Sequence, residues 1–193
     1  MSVSAEILGI FQQRGLGAYF GERVSMSEHA LQAAHFAQAA AAPPALVVAA
    51  LLHDIGHLLA DVPGDIAAWS VDAHHEQIGS DWLARRFGPE VSEPVRLHVP
   101  AKRYLLATNP GYFASLSPAS VITLKLQGGP MAAHEVAQFE RERYCREAVQ
   151  IRHWDDLGKV SGLTTPGFND YCALIESLAK QDMQQANRSG PAT

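Results

Sequence analysis
The sequence predicts an all-α fold, a single helical bundle. Apolar residues recur at helical spacing nearly throughout, and no run alternates apolar and polar residues long enough to make a strand. Cap signatures punctuate that pattern at several starts and stops.

A first helix is expected over about 5–13, followed by a loop over 15–23. Ser25 and Glu28 then form a capping-box pattern that starts a helix carrying His29, Gln32 and Phe36. Pro43-Pro44 ends that helix and opens the next. The next helix, over about 45–59, is apolar almost all round and reads as the buried central one. Its exceptions are His53, Asp54 and His57. On one continuous helix His53 and His57 share a face, and Asp54 lies about 100° round the axis from His53.

A looser stretch over 60–70 contains Pro63-Gly64 and reads as a loop over the site, before a helix over about 71–87 that carries His75. His98 falls near the end of a helix with Pro94 in its first turn and Pro100 as its stop. Lys102 then stays near His98 only if the chain turns or restarts as helix. Ser117-Pro118 is an N-cap followed by proline at the first helical position, and Gly128-Gly129 stops that helix after Gln127. A long charged amphipathic segment over 131–154 delivers Asp155. The last helix buries a stripe of Phe168, Tyr171, Leu174, Ile175 and Leu178. Residues 184–193 read as a frayed tail, which leaves 1–183 as the domain.

A chain of 193 residues is long enough for one domain with a substantial core. Its formal charge of -5 argues against a nucleic-acid partner held through phosphates. No stretch approaches the roughly 18–20 apolar residues of a membrane span, and the N-terminus lacks a signal-peptide pattern. With only Cys145 and Cys172 there is no disulfide framework, so a cytoplasmic protein is expected.

An unpaired carboxylate within the apolar run around His53-Asp54 would cost on the order of several kcal/mol, a cost that a bound cation removes. His29, His75, His98 and Asp155 are further candidate ligands, supplied by other predicted helices. Six such groups exceed what one ordinary mononuclear site needs, which points to a dinuclear centre. His35 lies about 240° round the helix from His29 and should face elsewhere. His134 and His153 carry no usable pattern, while His74 and Asp156 compete with their neighbours His75 and Asp155.

The order His29, His53-Asp54, Asp155 resembles the HD-domain superfamily, most of whose members of this pattern are metal-dependent phosphohydrolases. Seven segments resemble one branch more narrowly: Tyr19-x-x-Glu22, Glu28-His-Ala-Leu-Gln32, His53-Asp-Ile-Gly-His57, His75-Glu76, His98-Val-Pro-Ala-Lys-Arg-Tyr104, Gln127-Gly-Gly-Pro-Met131 and Ile151-Arg-His-Trp-Asp155. That branch is the PhnZ type, mixed-valent di-iron oxygenases that cleave the carbon-phosphorus bond of 1-hydroxy-2-aminoethylphosphonates.

The resemblance implies one iron held by His29, His53, Asp54 and Asp155. It implies a second held by His75, His98 and the other oxygen of Asp54, the two forming an Fe(II)/Fe(III) pair with O2 as cosubstrate. It further implies a catalytic set of Tyr19, Glu22, His57 and Lys102. In that set His57 and Lys102 neutralise the phosphonate, Glu22 meets the substrate's ammonium, and Tyr19 occupies an iron until substrate displaces it. Ser120, Thr123 and Gln127 would add hydrogen bonds to the substrate. The matching segments favour His75 over His74 and Asp155 over Asp156.

The expected reaction converts a 1-hydroxy-2-aminoethylphosphonate, or its N-trimethyl analogue, to phosphate plus glycine or glycine betaine. In the trimethyl case Trp69 or Tyr19 would supply cation-π contact. The small-molecule substrate is the expected partner. The alternative is a metal-dependent phosphohydrolase of a nucleotide or small phosphate ester, which uses the same ligands but has no need of a phenol guarding a metal. A catalytically dead regulatory module would have lost ligands, and all six are present. An inositol-oxygenase-like role shares the di-iron logic but lacks the phosphonate-pocket matches.

Overall fold
Ser2 caps α1 (Val3–Arg14), and the reciprocal Ser25 and Glu28 capping box opens α2 (Met26–Ala39). α3 (Pro44–Leu52) and α4 (Ile55–Leu59) follow, then α5 (His75–Ala84), α6 (Pro89–Thr108) and a short 3-10 turn at Tyr112–Ser115. Ser117 caps α7 (Pro118–Leu126), and α8 (Ala133–Phe139), α9 (Cys145–Leu157) and α10 (Phe168–Arg188) complete the chain. The computed structural model describes residues 2–19, 21–60 and 74–188. Among these residues every extended element is a helix and no strand occurs, as the apolar periodicity predicts. The loop expected after Ala60, the helix start expected at 71, Trp69 and residues 189–193 of the expected tail lie outside the described residues.

α3 is the centre of the core. Leu46, Val47, Val48, Ala49, Ala50, Leu51 and Leu52 are all buried, packed by α2, α6, α9 and α10. Ala33, Ala34 and Ala37 of α2 belong to the same cluster as Ala49 and Ala50, and small side chains let helix axes approach closely. From α10, Tyr171 and Ile175 of the predicted stripe are buried, with Phe168, Leu174 and Leu178 packed against the cluster. α1 closes the same core with Ile7 and Phe11. Cys145 and Cys172 are free and half-buried, and no described helix is long and apolar enough to cross a membrane.

Four elements depart from the sequence expectation. The helix expected over 45–59 is broken: α3 ends at Leu52, Asp54 leaves helical geometry with φ -102 and ψ 11, and α4 restarts at Ile55. The helix carrying His98 instead runs unbroken through both Pro94 and Pro100. Each interior proline forfeits a backbone bond and crowds the preceding turn, at about 3 kcal/mol or more. That cost is offset by burial of Val91, Val95, Leu97, Val99, Ala101 and Leu105 against α5, α3 and α9. The segment over 131–154 forms two helices, with a turn at Glu140–Tyr144 between them. α5 begins only at His75, because His74 adopts left-handed geometry (φ 47), and it stops at Ala84, short of the expected end.

α4 lies against the start of α5, with Gly56 facing the backbone of His75 and Gly79. A Cβ at Gly56 would lie 1.9 Å from the His75 carbonyl oxygen, so glycine is required for the approach that places His75. Gly56→Ala is therefore expected to destabilise the fold by about 1–3 kcal/mol or more. Urea unfolding checks this as a lower midpoint at unchanged m, and an unaltered midpoint would contradict the close contact.

Candidate functional site
The break after Leu52 turns the Asp54 carboxylate into the space between α2, α5, α6 and α9. Its two oxygens face different imidazoles. Oδ2 lies 3.4 Å from His53 Nε2 and 3.6 Å from His29 Nε2, while Oδ1 lies 3.4 Å from both His75 Nε2 and His98 Nε2. Asp155, on α9, brings Oδ1 to 3.6 Å from His29 Nε2 and Oδ2 to 4.0 Å from His53 Nε2. All six groups are buried. Within His29, His53 and Asp54, and within Asp54, His75 and His98, the donor atoms lie inside 4.8 Å of one another.

The tautomers follow from the backbone. His29 Nδ1 is 2.8 Å from the Gly158 carbonyl, His53 Nδ1 is 2.8 Å from that of Ala50, and His98 Nδ1 is 2.7 Å from that of Val95. A carbonyl only accepts, so each Nδ1 carries the proton, which leaves Nε2 as the atom that faces the cluster. Yet His29 Nε2 and His53 Nε2 stand 3.1 Å apart, and His75 Nε2 and His98 Nε2 stand 3.2 Å apart. For His29 and His53, whose Nδ1 atoms both bond a carbonyl, two lone pairs cannot hydrogen-bond to each other. Metal–ligand bonds of about 2.1 Å separate neighbouring ligand atoms by about 3.0–3.4 Å, so these spacings fit a shared cation.

The electrostatics agree. Burial lowers His53 to about 4, leaving its ring neutral. Burial alone would raise Asp54, but the surrounding imidazoles, His53 first, hold its carboxyl well below the usual range. For Asp155 burial is likewise overcome, here by the Arg152 guanidinium and the Lys159 ammonium. Arg152 Nη1 donates to Asp155 Oδ2, while Oδ1 is buried and accepts no hydrogen bond among the described residues. Two ionised carboxylates among four imidazoles form a donor set suited to a hard or borderline cation.

A cavity of about 50 Å³ opens beside this cluster, lined by Tyr19, Glu22, His57, Lys102, Ser120, Thr123 and Gln127. Tyr19 donates to Asp54 Oδ2 at 2.8 Å and stacks on the His29 ring at 3.8 Å. Burial first, then Asp155 and Asp54, keep its phenol protonated. His57 stacks on His75 at 3.7 Å, and burial and His75 hold it neutral. Lys102 lies one turn beyond His98 on unbroken α6, is itself buried, and donates to Thr123 Oγ1 at 3.0 Å. Burial and then the Arg152 charge lower Lys102 to about 7. Glu22 Oε1 and Gln127 Oε1 are buried without a hydrogen-bond partner among the described residues.

The competing residues face elsewhere. His74 has 72% of its side chain exposed against 8% for His75. Asp156 turns to Tyr112, whose hydroxyl donates to it at 2.5 Å, and to Arg152. His134 and His153 are exposed, and His35 lies half-buried against Phe36. Two cations of the cavity wall, Arg152 and Lys159, have no counterpart in the sequence reading. Arg152 precedes Asp155 by three residues, an interval that shares a helix face, whereas Lys159 lies just past the end of α9.

Residues 26–157 match the HD domain family model, a span that contains all six imidazole and carboxylate groups. The chain belongs to the HD-domain family. Within it, relatives of the PhnZ type are similar over most of their length. The [1-hydroxy-2-(trimethylamino)ethyl]phosphonate dioxygenase (glycine-betaine-forming) of Leisingera caerulea is 41% identical over 91% of this chain and 89% of its own. The hydroxymethylphosphonate dioxygenase of Gimesia maris is 45% identical over 83% of this chain and 80% of its own. This HD domain thus sits in the PhnZ-type branch.

Metal analysis of purified variants tests the two donor groups. His75→Ala is expected to remove metal from one group only, whereas Asp54→Ala should deplete both. Equal metal content in the two variants would contradict a shared carboxylate.

Proposed function
We propose that this HD domain is an oxygen-dependent enzyme that cleaves the carbon-phosphorus bond of a small 1-hydroxyphosphonate bearing a cationic amino group. The observation that carries this reading is a carboxylate facing two imidazole pairs beside a cationic cavity, with a buried, unpartnered Glu22 oxygen at its wall. The names of the two relatives support the reaction class.

His29, His53, Asp54 and Asp155 would hold one iron, and His75, His98 and the second Asp54 oxygen the other. An Fe(II)/Fe(III) pair there would supply the redox chemistry that couples O2 to oxidation of the substrate's hydroxylated carbon. In the overall balance the C–H and C–P bonds of that carbon break, it becomes a carboxylate, and phosphorus leaves as phosphate. Substrate and O2 together hold all the oxygen of both products, so no external reductant enters.

The chain's own residues do the rest. Lys102 and His57 meet the phosphonate oxygens, with Ser120, Thr123 and Gln127 adding neutral hydrogen bonds. Glu22 takes the ammonium and so sets which end of the substrate faces the cluster. Tyr19 withdraws its hydroxyl from Asp54 as substrate enters, which ties opening of the cluster to substrate arrival. The apolar shell around α3 excludes water from the cluster.

The decisive experiment loads the protein with iron under anaerobic conditions and then admits oxygen with each phosphonate in turn. The substrates are the primary amine, its N-trimethyl analogue and hydroxymethylphosphonate. Phosphate release that requires both iron and oxygen is expected with a cationic substrate. Equal release under nitrogen with magnesium would replace this reading with hydrolysis. Glu22→Ala should raise KM for the cationic substrate by about tenfold or more while leaving iron content intact.

The pH dependence has a definite sign. Lys102 carries its charge below about 7 and loses it above, so anion affinity should fall as pH rises through that range. Lys102→Met should bind inorganic phosphate weakly at every pH, with a flattened profile. An unchanged profile in that variant would remove Lys102 from the anion site.

A further inference from the structure
We infer that Gln32 is a positioning residue of the metal centre, pinning a three-residue strap, Gly158 to Val160, that orients His29 and delivers Lys159 to the cavity. The inference rests on the two-metal reading only for its metal readout. After α9 ends at Leu157 the chain runs without helix until α10 begins at Phe168; Gly158 and Lys159 still bond back to α9 carbonyls through their N–H groups, but the Val160 N–H has no backbone partner. Gln32 supplies the missing bonds. Its Oε1 accepts from the Val160 N–H at 2.9 Å and its Nε2 donates to the Val160 carbonyl at 2.9 Å. A buried amide is costly unless both ends are paired, and here both ends are paired by one residue of the strap.

His29 lies one turn before Gln32 on α2, so the two side chains grip the strap from the same helix face. His29 Nδ1 donates to the Gly158 carbonyl at 2.8 Å. Gly158 allows this because a Cβ there would lie 3.1 Å from the Trp154 carbonyl oxygen and 3.2 Å from His29 Nδ1. Held on both sides, Lys159 extends into the cavity. Its Nζ lies 3.3 Å from Ser120 Oγ, 3.4 Å from Asp155 Oδ1 and 5.8 Å above the Tyr19 ring. One helical turn of α2 therefore sets a ligand's tautomer and an anion-pocket cation together.

The test compares Gln32→Met, which keeps the length and removes both bonds, with Lys159→Met and the double variant. In the metal-free protein, nitrogen-proton correlation spectra should lose the fixed Nδ1–H form of His29 in Gln32→Met and keep it in Lys159→Met. Inorganic phosphate should bind about tenfold more weakly in each single variant, with the double variant little worse than either. Bound iron should fall by about half in Gln32→Met alone. A fixed His29 tautomer with undiminished phosphate affinity in Gln32→Met would overturn the proposal, as would phosphate losses that multiply in the double variant. If Gln32→Met fails to fold by circular dichroism, Gln32→Glu replaces it, since it keeps the acceptor for Val160 N–H and loses only the donor. Gln32→Glu should loosen the His29 tautomer partially, and a wild-type spectrum would count against the strap. A wild-type chain that binds fewer than two ions argues against the dinuclear reading, while the tautomer and phosphate results still decide the role of Gln32.

Discussion
One buried carboxylate, Asp54, faces imidazoles from three other elements at once, and the placement of those elements follows from it. Its oxygens point to His29 and His53 on one side and to His75 and His98 on the other. That group is presented from a break between two helices. The chain accordingly gives up helical geometry at Asp54 and resumes it at Ile55, and the glycine at 56 lets α4 seat directly on the start of α5. The backbone carbonyls of Ala50, Val95 and Gly158 then orient three of the rings from behind.

Charge is balanced around this cluster by groups that would be costly alone. Arg152 is wholly buried and engages Asp155, Asp156 and the Tyr112 hydroxyl, so its charge is matched on several sides. Removing one partner from such a buried set costs about 3–5 kcal/mol, because the remaining charge is left unmatched in a poor solvent. Lys102 and Lys159 add cations on the cavity side. Basic side chains thus line the cavity while the two carboxylates lie among the imidazoles, the polarity expected if a cation sits within and an oxyanion approaches from the cavity.

Much of this was legible in the sequence, and the rest was hidden for identifiable reasons. The capping box at Ser25, the proline start at Pro44 and the apolar run of α3 are local signals, and they mark helix starts and a core that the structure contains. The six imidazole and carboxylate groups stood out because polar residues in apolar runs demand explanation. The break at Asp54 was not legible, since nothing in Leu52-His53-Asp54-Ile55 is a helix breaker and the interruption is set by tertiary packing. The reverse held at Pro94 and Pro100, where two strong local stop signals are overridden by burial of the α6 face. Arg152 carried helical spacing to Asp155, but the roles of Gln32 and Lys159 depend on a strap whose path no periodicity encodes.

The continuity of α6 through its two prolines has a geometric corollary. His98 and Lys102 stand one turn apart on a single rod, roughly 6 Å along its axis. A ligand that engages both is thereby gauged by a ruler that cannot stretch. Any molecule that touched both side chains would have to match that gauge.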